Sequence, residues 1–432
     1  MGIGIRLLLV LLLLTGSFQP VSAGDPQDEA LVALLRQRAL PLKSEADLAP
    51  LLERTKKAKL VLLGDGSHGT YDFYRVRSHI TQRLLLDHDF SFVAIEADWE
   101  AAAAVDRFVR LLPGADETAE EALAHLNIWP GWVWNNREME RLVIWLRELN
   151  LQRRPEDRIP IYGMDLLNFP LTVETFVLSP ETSAAAMQLQ ACFTPFLKNL
   201  LLYPELLARG GDNCIGYVDG LRNAVGQTGS KLSFEASQRL RIIENGETYY
   251  RWIAVSEADA WNRRVSHFAD SLEQFLAHHG DRAKGIVWAH NTHNGDASAT
   301  FMADSGMQSL GEIMRSRFGP ESLLLVGSTS YQGSVLASRQ WGGPVEEFSL
   351  PPAATGSFED ILHQTGLSVA YWLFTSADRQ AEPLTIYRGQ RGVGVVYEPE
   401  FDTRDNYLGT LLPARYDALI FIDTTSALQD LE

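Results

Sequence analysis

The sequence is poor in cysteine and has no excess of positive charge. It contains two cysteines in 432 residues, too few to build a structural zinc site by themselves. Its 38 lysine and arginine residues are outnumbered by 55 aspartate and glutamate residues, which gives a formal net charge of −17. A chain this acidic repels phosphate backbones and anionic membrane surfaces, so nucleic acid and membranes are not expected partners.

Three common catalytic motifs are also missing. The sequence has no Gly-x-Ser-x-Gly nucleophile elbow, no Walker A lysine motif and no Gly-x-Gly-x-x-Gly fingerprint. The first marks the serine nucleophile of α/β-hydrolases, and the other two mark the binding of ATP, GTP or NAD. Without an evident nucleophile, a hydrolytic mechanism would use direct attack by an activated water molecule.

Long hydrophobic runs are absent except at the N-terminus. There, Arg6 precedes an apolar run from Leu7 to Leu14, and Val21-Ser22-Ala23 has the small-x-small pattern of a cleavage site. This arrangement predicts a secretory signal peptide over residues 1–23 and, for a Gram-negative source, a secreted, periplasmic protein. The alternative is an uncleaved anchor. No later run reaches the length needed to span a membrane.

The two cysteines, Cys192 and Cys214, favour one disulfide in an exported chain. Such a bridge would add about 3 kcal/mol of stability in the loop-entropy model. The alternative is two buried free thiols. A cysteine nucleophile is not expected, because neither residue lies near a histidine-bearing motif.

The order of apolar segments predicts an α/β fold with a mostly parallel central sheet. A strand-like run at residues 60–63 precedes a helical pattern at 71–86, and a second run at 92–95 precedes another helix at 100–112. Alternation of this kind is typical of parallel sheets, and continuously apolar strands indicate that helices cover both faces. Further strands are predicted at residues 159–162, 285–289, 323–326, 371–374, 392–397 and 418–422.

The middle of the chain shows no clear strand pattern. We therefore expect residues 24–170 to form the first half of the α/β core and residues 281–432 to form the second half. Residues 171–280 would be a helical insertion that acts as a lid or a cleft wall.

Polar residues follow four of the predicted strands. In an open parallel sheet, ligands bind beyond the carboxyl ends of the strands, so these residues predict one site at one sheet edge. The candidates are Asp65, Ser67 and His68 after the first strand, Glu96 and Asp98 after the second, Asp165 after the third, and His290 and His293 after the fourth.

His68, which lies between glycines, is the candidate general base, because a neutral imidazole titrates near working pH. Glu96 would orient it, as the carboxylate of a triad does. His290 and His293 would supply a second base or an acid, and Arg75 would stabilise an oxyanion. The alternative for each histidine is a loop residue with a structural role.

Three further residues are assigned to substrate binding. Asp98 and Asp165 follow strands at the predicted site, and Trp132 belongs to a tryptophan-rich segment that would form an apolar wall. Packing of that segment in the aromatic core is the alternative for Trp132.

Two other functions compete with hydrolysis by water and histidine. His290-x-x-His293 with His68 and Glu96 could bind zinc for a metal-dependent hydrolase, although this pair follows a strand and differs from the helical HExxH motif. A non-catalytic periplasmic protein that binds haem, a metal or an envelope ligand is the other alternative. No cofactor or metal is assigned, and the expected partner is a small molecule.

An ordered set of segments resembles the erythromycin esterase family over nearly the whole chain. Leu63-Gly64-Asp65-Gly66-Ser67-His68-Gly69-Thr70 resembles the GE-x-x-HG segment of that family. The other segments are Phe73-Tyr74-x-x-Arg77, Ala94–Trp99, Trp129–Trp134, Gly163-Met164-Asp165, Trp261–Arg264, Trp288–Asp296, Trp341–Pro344 and Tyr416–Ile420.

The resemblance implies a mixed α/β fold with a cleft and, in members that confer antibiotic resistance, hydrolysis of the macrolactone ester of 14-membered macrolides. It implies that His68 activates water, that Glu96, His290 and His293 occupy matching positions, and that Arg75 or Arg77 is the arginine of the family. Asp65 replaces the usual glutamate and is one methylene shorter. The resemblance therefore implies a carboxylic ester hydrolase whose partner is a small-molecule ester.

Overall fold

The computed structural model describes residues 26–431; the predicted signal peptide lies outside these residues. The strands are β1 (Leu40–Pro41), β2 (Leu60–Asp65), β3 (Phe92–Asp98), β4 (Ile161–Asp165), β5 (Gly285–His290), β6 (Leu323–Ser338), β7 (Val345–Leu350), β8 (Val369–Leu373), β9 (Arg388–Arg391), β10 (Tyr407–Thr410) and β11 (Ala418–Thr425). The α-helices are α1 (Pro26–Arg38), α2 (Ala49–Arg54), α3 (Tyr71–Asp87), α4 (Trp99–Val109), α5 (Ala119–Ala124), α6 (Arg137–Leu151), α7 (Phe169–Val177), α8 (Ser183–Phe193), α9 (Leu202–Ala208), α10 (Ile215–Gln227), α11 (Phe234–Ile253), α12 (Glu257–His279), α13 (Asn291–Asn294), α14 (Leu310–Phe318), α15 (Phe358–His363), α16 (Asp402–Asp405) and α17 (Leu412–Arg415).

The central sheet has nine strands, eight of them in the order β1-β8-β11-β6-β2-β5-β3-β4, with β7 paired to β6. The pairings among β11, β6, β2, β5, β3 and β4 are all parallel. The pairings of β1, β7 and β8 are antiparallel. The predicted mostly parallel α/β sheet is therefore confirmed.

Side chains of the central strands alternate between two apolar cores. On β2, Val61 and Leu63 join a core with α3, α4 and α6, whereas Leu60 and Leu62 join a core with α7 to α12. All four side chains are at most 1% exposed. Successive residues of a strand point to opposite faces, so helices must cover both sides, as the apolar strands indicate.

The helices between β4 and β5 belong to the second core. Within the described part of the chain, α7 to α12 occupy this interval and no strand interrupts them. On α12, Val265, Phe268 and Leu272 are fully buried in the core that includes Leu60 and Leu62 of the sheet. The helical segment is thus a covering layer of the sheet as well as an insertion.

The predicted disulfide is confirmed. Cys192 near the end of α8 is bonded to Cys214, which immediately precedes α10, and their Cα atoms lie 6.1 Å apart.

The predicted strand at residues 392–397 is wrong. The strand in this region is β9, which ends at Arg391 and pairs with β10 in a separate two-stranded sheet. Val393 and Val396 make isolated bridges to Ser67 and Ser338, respectively. This segment is apolar because it crosses over the ends of the central strands, not because it lies inside the sheet.

None of the helices within residues 26–431 combines the length and the apolar composition needed to cross a lipid bilayer.

Candidate active site

The carboxyl ends of four neighbouring parallel strands meet at one edge of the sheet. In spatial order, β2, β5, β3 and β4 end at Asp65, His290, Asp98 and Asp165, and Glu96 lies near the end of β3. A cavity of about 150 Å³ lies at this edge. Its aromatic lining consists of Trp129, Trp134, Tyr249, Trp261 and Trp341.

His68 lines the cavity in the turn between β2 and α3 and is 9% exposed. Its Nδ1 atom lies 3.5 Å from Oδ1 of Asp65, and Oδ2 of Asp65 lies 2.8 Å from Nη1 of Arg77. Asp65 and Arg77 are 1% and 2% exposed. A buried arginine therefore neutralises the carboxylate that lies beside the histidine.

The two glycines beside His68 allow β6 to approach the turn. A Cβ atom on Gly66 would lie 2.6 Å from the carbonyl oxygen of Ser328, and one on Gly69 would collide with the backbone of Leu336. Neither contact leaves room for a side chain. The glycines thus fix the turn against the sheet and hold the His68 backbone in place.

Nearby charges outweigh burial in setting the pKa values of Asp65 and His68. Burial raises the pKa of Asp65, but the positive charges of Arg77 and His68 outweigh burial and lower it. Burial lowers the pKa of His68, but the carboxylates of Asp65 and Glu96 outweigh burial and raise it above the ordinary value. The Asp65 contact thus favours the imidazolium form that a general base reaches after accepting a proton.

Glu96 connects three parts of the site. One carboxylate oxygen accepts a hydrogen bond from Nη2 of Arg264 at 2.9 Å and lies 3.1 Å from Nε2 of His293. The other accepts from the backbone N–H of His290 at 3.0 Å. Burial opposes ionisation of Glu96, but the charges of His293 and Arg264 hold its pKa well below the usual range.

The contacts of His293 fix its orientation. Its ring stacks on Trp261 with centroids 4.3 Å apart. Nε2 lies 3.1 Å from Glu96 and 3.2 Å from Nη1 of Arg264, and one nitrogen cannot both donate to the carboxylate and accept from the guanidinium. Donation to Glu96 is the favoured arrangement, because Arg264 already donates to Asp165 and Glu96.

His290 presents an unpaired ring nitrogen. Its Nδ1 atom accepts from the backbone N–H of Thr292 at 3.3 Å and lies 2.8 Å from Oγ1 of Thr292, which places the proton of the neutral ring on Nε2. Among residues 26–431, no group hydrogen bonds to Nε2. Burial and the nearby charge of His68 lower the pKa of His290 to about 3, so its ring is neutral.

Asp165 and Asp98 both line the cavity, but they have different partners. Asp165 accepts from Nε and Nη2 of Arg264 at 2.9 and 2.6 Å. Asp98 accepts from the backbone N–H and the Nδ2 atom of Asn168, at 2.8 and 2.5 Å. Burial and the charge of Asp165 raise the pKa of Asp98.

Three sequence-based assignments differ from the observed arrangement. The side chain of Arg75 is 50% exposed and lies 3.7 Å from Asp72, because α3 turns this position to solvent. Trp132 is 4% exposed in the apolar core and does not line the cavity. Asp65 rather than Glu96 is the carboxylate in contact with Nδ1 of His68.

Sequence reasoning missed Arg264 as a site residue. It lies on the buried face of α12 with Trp261, Val265 and Phe268. An arginine within an apolar stripe at helical spacing must find a buried acidic partner. That spacing was the signal available in the sequence.

The alternative zinc site does not fit this arrangement. Within residues 26–431, no group of three or more His, Cys, Asp or Glu side chains is placed to hold a metal ion. The nitrogen of His293 nearest Glu96 faces that carboxylate, and Nδ1 of His290 faces Thr292. These two nitrogens therefore have other partners, and the four side chains do not converge on one point within the described residues.

Three solved structures share the fold. A succinoglycan biosynthesis protein has a TM-score of 0.72 at 17% identity, covering 94% of this chain and 100% of that one. A Bacillus cereus protein has a TM-score of 0.72 at 20% identity, covering 94% and 99%. A mutant of the erythromycin esterase EreC in its open conformation has a TM-score of 0.58 at 15% identity, covering 90% and 95%.

The family model for erythromycin esterase matches residues 86–425. This match covers most of the chain, including Glu96, Arg264, His290 and His293, and it supports a hydrolase. The chain belongs to the erythromycin esterase family.

Proposed function

We propose that this protein hydrolyses a carboxylic ester with a water molecule activated by His68, and that the ester is the macrolactone of a 14-membered macrolide. The observation that carries the proposal is the buried contact between His68 and Asp65 at the wall of the cavity. Family membership and the aromatic lining support the macrolide as substrate.

His68 acts as the general base. Asp65 holds the proton on Nδ1, which leaves Nε2 free to accept a proton from water. The hydroxide so formed attacks the carbonyl carbon of the ester, and the imidazolium is stabilised by Asp65. Arg77 keeps Asp65 ionised for this purpose.

His290 acts on the carbonyl oxygen. Its neutral ring carries a proton on Nε2, which donates a hydrogen bond to the oxyanion of the tetrahedral intermediate. When the intermediate collapses, the bond from carbon to the alcohol oxygen breaks, and His68 returns its proton to that oxygen. The products are a carboxylic acid and an alcohol, which remain one molecule when the substrate is a lactone.

Glu96, Arg264 and His293 position these groups. Glu96 holds the backbone of His290 and the ring of His293, while Arg264 links Glu96 to Asp165. A preorganised network of this kind keeps the hydrogen-bond donors in place before the substrate arrives.

Mass spectrometry of a 14-membered macrolide incubated with the purified protein tests the proposal. We expect the macrolide to gain the mass of one water molecule, and His68→Ala to lower the rate by about 10²–10⁴-fold. His79→Ala is the matched control, because His79 lies on α3, the helix that follows His68, and is 35% exposed near Glu45. A macrolide left intact by the unmodified protein would overturn the substrate assignment.

Export to the periplasm is part of the same proposal. The N-terminal pattern supports it, and so does the disulfide, because disulfides persist mainly in oxidising compartments. Mass analysis of protein recovered from the periplasm of an expressing Gram-negative host should give a chain that begins at Gly24. Recovery of a chain that retains Met1 would contradict cleavage.

A further inference from the structure

Asp98 is a cavity carboxylate that the proposed chemistry does not use. It lines the cavity, and both of its oxygens accept hydrogen bonds from the neutral Asn168. Among residues 26–431, Asp98 forms no ion pair within 4 Å, whereas Glu96 and Asp165 both pair with Arg264. Asp98 is therefore the cavity carboxylate whose charge lacks a neighbouring cation.

The side chain of Asp98 does not cap the helix that it precedes. Asp98 is the N-cap residue of α4, where an aspartate normally accepts a hydrogen bond from the first turn of the helix. Its side chain makes no such bond and lies against Asn168, the N-cap residue of α7, instead. Two helix starts thus place a carboxylate and an amide side by side on the cavity wall.

The other residues that line the cavity indicate what kind of molecule would bind beside Asp98. The Nε2 atom of His290 is buried and has no partner within the described chain, so it calls for a ligand with a hydrogen-bond acceptor. Tyr249, Trp261 and Trp134 line the same cavity. Aromatic faces together with a carboxylate favour an ammonium group, through cation–π and ionic attraction.

The charge of the cavity points in the same direction. Three carboxylates line it: Glu96 and Asp165 pair with Arg264, and Glu96 also lies beside His293, so within the described residues Asp98 is left without a cation within 4 Å. Burial without a countercharge is unfavourable for a carboxylate, and a bound cation would relieve it.

From these observations we propose that Asp98 binds a cationic amine of the substrate, so that the protein prefers esters carrying an ammonium group. This inference rests on the proposed ester hydrolysis but can be tested apart from it. The carbonyl oxygen would face His290 and the ammonium group would face Asp98. Asn168 would hold Asp98 in position by its two hydrogen bonds.

Calorimetric titration with benzyltrimethylammonium tests the site without any hydrolysis. We expect Asp98→Asn to raise the dissociation constant by about tenfold or more, as for loss of a desolvated ionic partner. Glu100→Gln is the matched control, because it removes a carboxylate two residues away that pairs with Arg239 and does not line the cavity. Benzyl alcohol, a neutral probe, should bind the unmodified protein and Asp98→Asn alike.

Two results would overturn the proposal: equal affinity of the cation for the unmodified protein and Asp98→Asn, or equal weakening in Glu100→Gln.

A second measurement compares a choline ester with the 3,3-dimethylbutyl ester of the same acid, which has the same shape without the charge. The preference for the choline ester should disappear in Asp98→Asn. Cation binding in a protein that cleaves no ester would remove the proposed function and leave the cation site established.

Discussion

The contact between Asp65 and His68 leads to a prediction about how activity depends on pH. Because the proposed base must be neutral to accept a proton, activity should rise with pH through the pKa of His68, which lies above the ordinary value. Asp65→Asn removes the largest contribution that raises this pKa, while burial, which lowers it, remains. The acid limb of the pH–rate profile should therefore shift to lower pH in this variant.

The maximal rate of Asp65→Asn should also fall, by about 10²-fold or more, because the tautomer of His68 is no longer fixed. Asp87→Asn serves as a control, since Asp87 is half exposed at the end of α3 and pairs with Arg83. An acid limb that stays at the same pH in Asp65→Asn would show that another group titrates.

The two arginines of α3 differ in their expected contribution to stability. Arg77→Met would leave Asp65 as a buried, unpaired charge and should lower the free energy of unfolding by about 3–5 kcal/mol. Arg75→Met removes a largely exposed contact with Asp72 and should change it by less than about 0.5 kcal/mol. Urea unfolding of both variants measures the difference, and equal losses would contradict the assignment of Arg77 to the site.

Helical periodicity distinguishes the buried Arg77 from the exposed Arg75, although the resemblance of this segment to the family does not. Residues two apart lie on different sides of a helix, and Arg77 is four residues after Phe73 and four before Thr81, both buried. The same spacing places Arg264 on the buried face of α12. Placement of the site residues at strand ends could thus be predicted from sequence, whereas the rotation of each helix against the sheet required its tertiary contacts.

At the scale of the element, the disulfide joins α8 to the start of α10 across 22 positions of sequence. Closing a loop of this length should stabilise the fold by about 3 kcal/mol. The double variant Cys192→Ala/Cys214→Ala should lose this amount in urea unfolding. A reducing agent should have the same effect on the unmodified protein and none on the double variant. If the unmodified protein kept its free energy of unfolding after reduction, the disulfide would not stabilise the fold.

The segment after β9 shows why one predicted strand was wrong. Gly394, Val395 and Val396 line the cavity, and Val393 is fully buried against the turn that holds His68. Apolar residues in a row have the same appearance in sequence whether they cover a site or fill a sheet. β1, β7, β9 and β10 were not predicted, because these short or half-exposed strands carry no long apolar run.

At the scale of the whole molecule, the helices between β4 and β5 cannot be removed without exposing the sheet. α12 buries Phe268 and Leu272 in the same core as Leu60, Leu62 and Phe92. We therefore expect a chain in which a short Gly-Ser linker replaces residues 171–280 to fail to fold, as judged by circular dichroism and solubility. Insertion of a few glycines at Gly229, in an exposed loop, is the control and should be tolerated.

A folded, soluble product of that deletion would show that the helical segment is a separable domain. The alternation of strands and helices was sufficient to predict a parallel sheet and its helical interruption. It could not show that α12 supplies both the cover of the sheet and Arg264 of the site, because that depends on how two distant segments pack.

Glu96 has a consequence for how such a protein can be diversified. Its single carboxylate fastens β3 to the end of β5, to α12 and to His293, so a replacement there would disturb the architecture together with the chemistry. Trp129 and Trp341 are free of this constraint, since they line the cavity from loops and contact each other. Laboratory evolution toward new substrates should therefore accumulate its productive changes at these loop residues and leave Glu96 untouched.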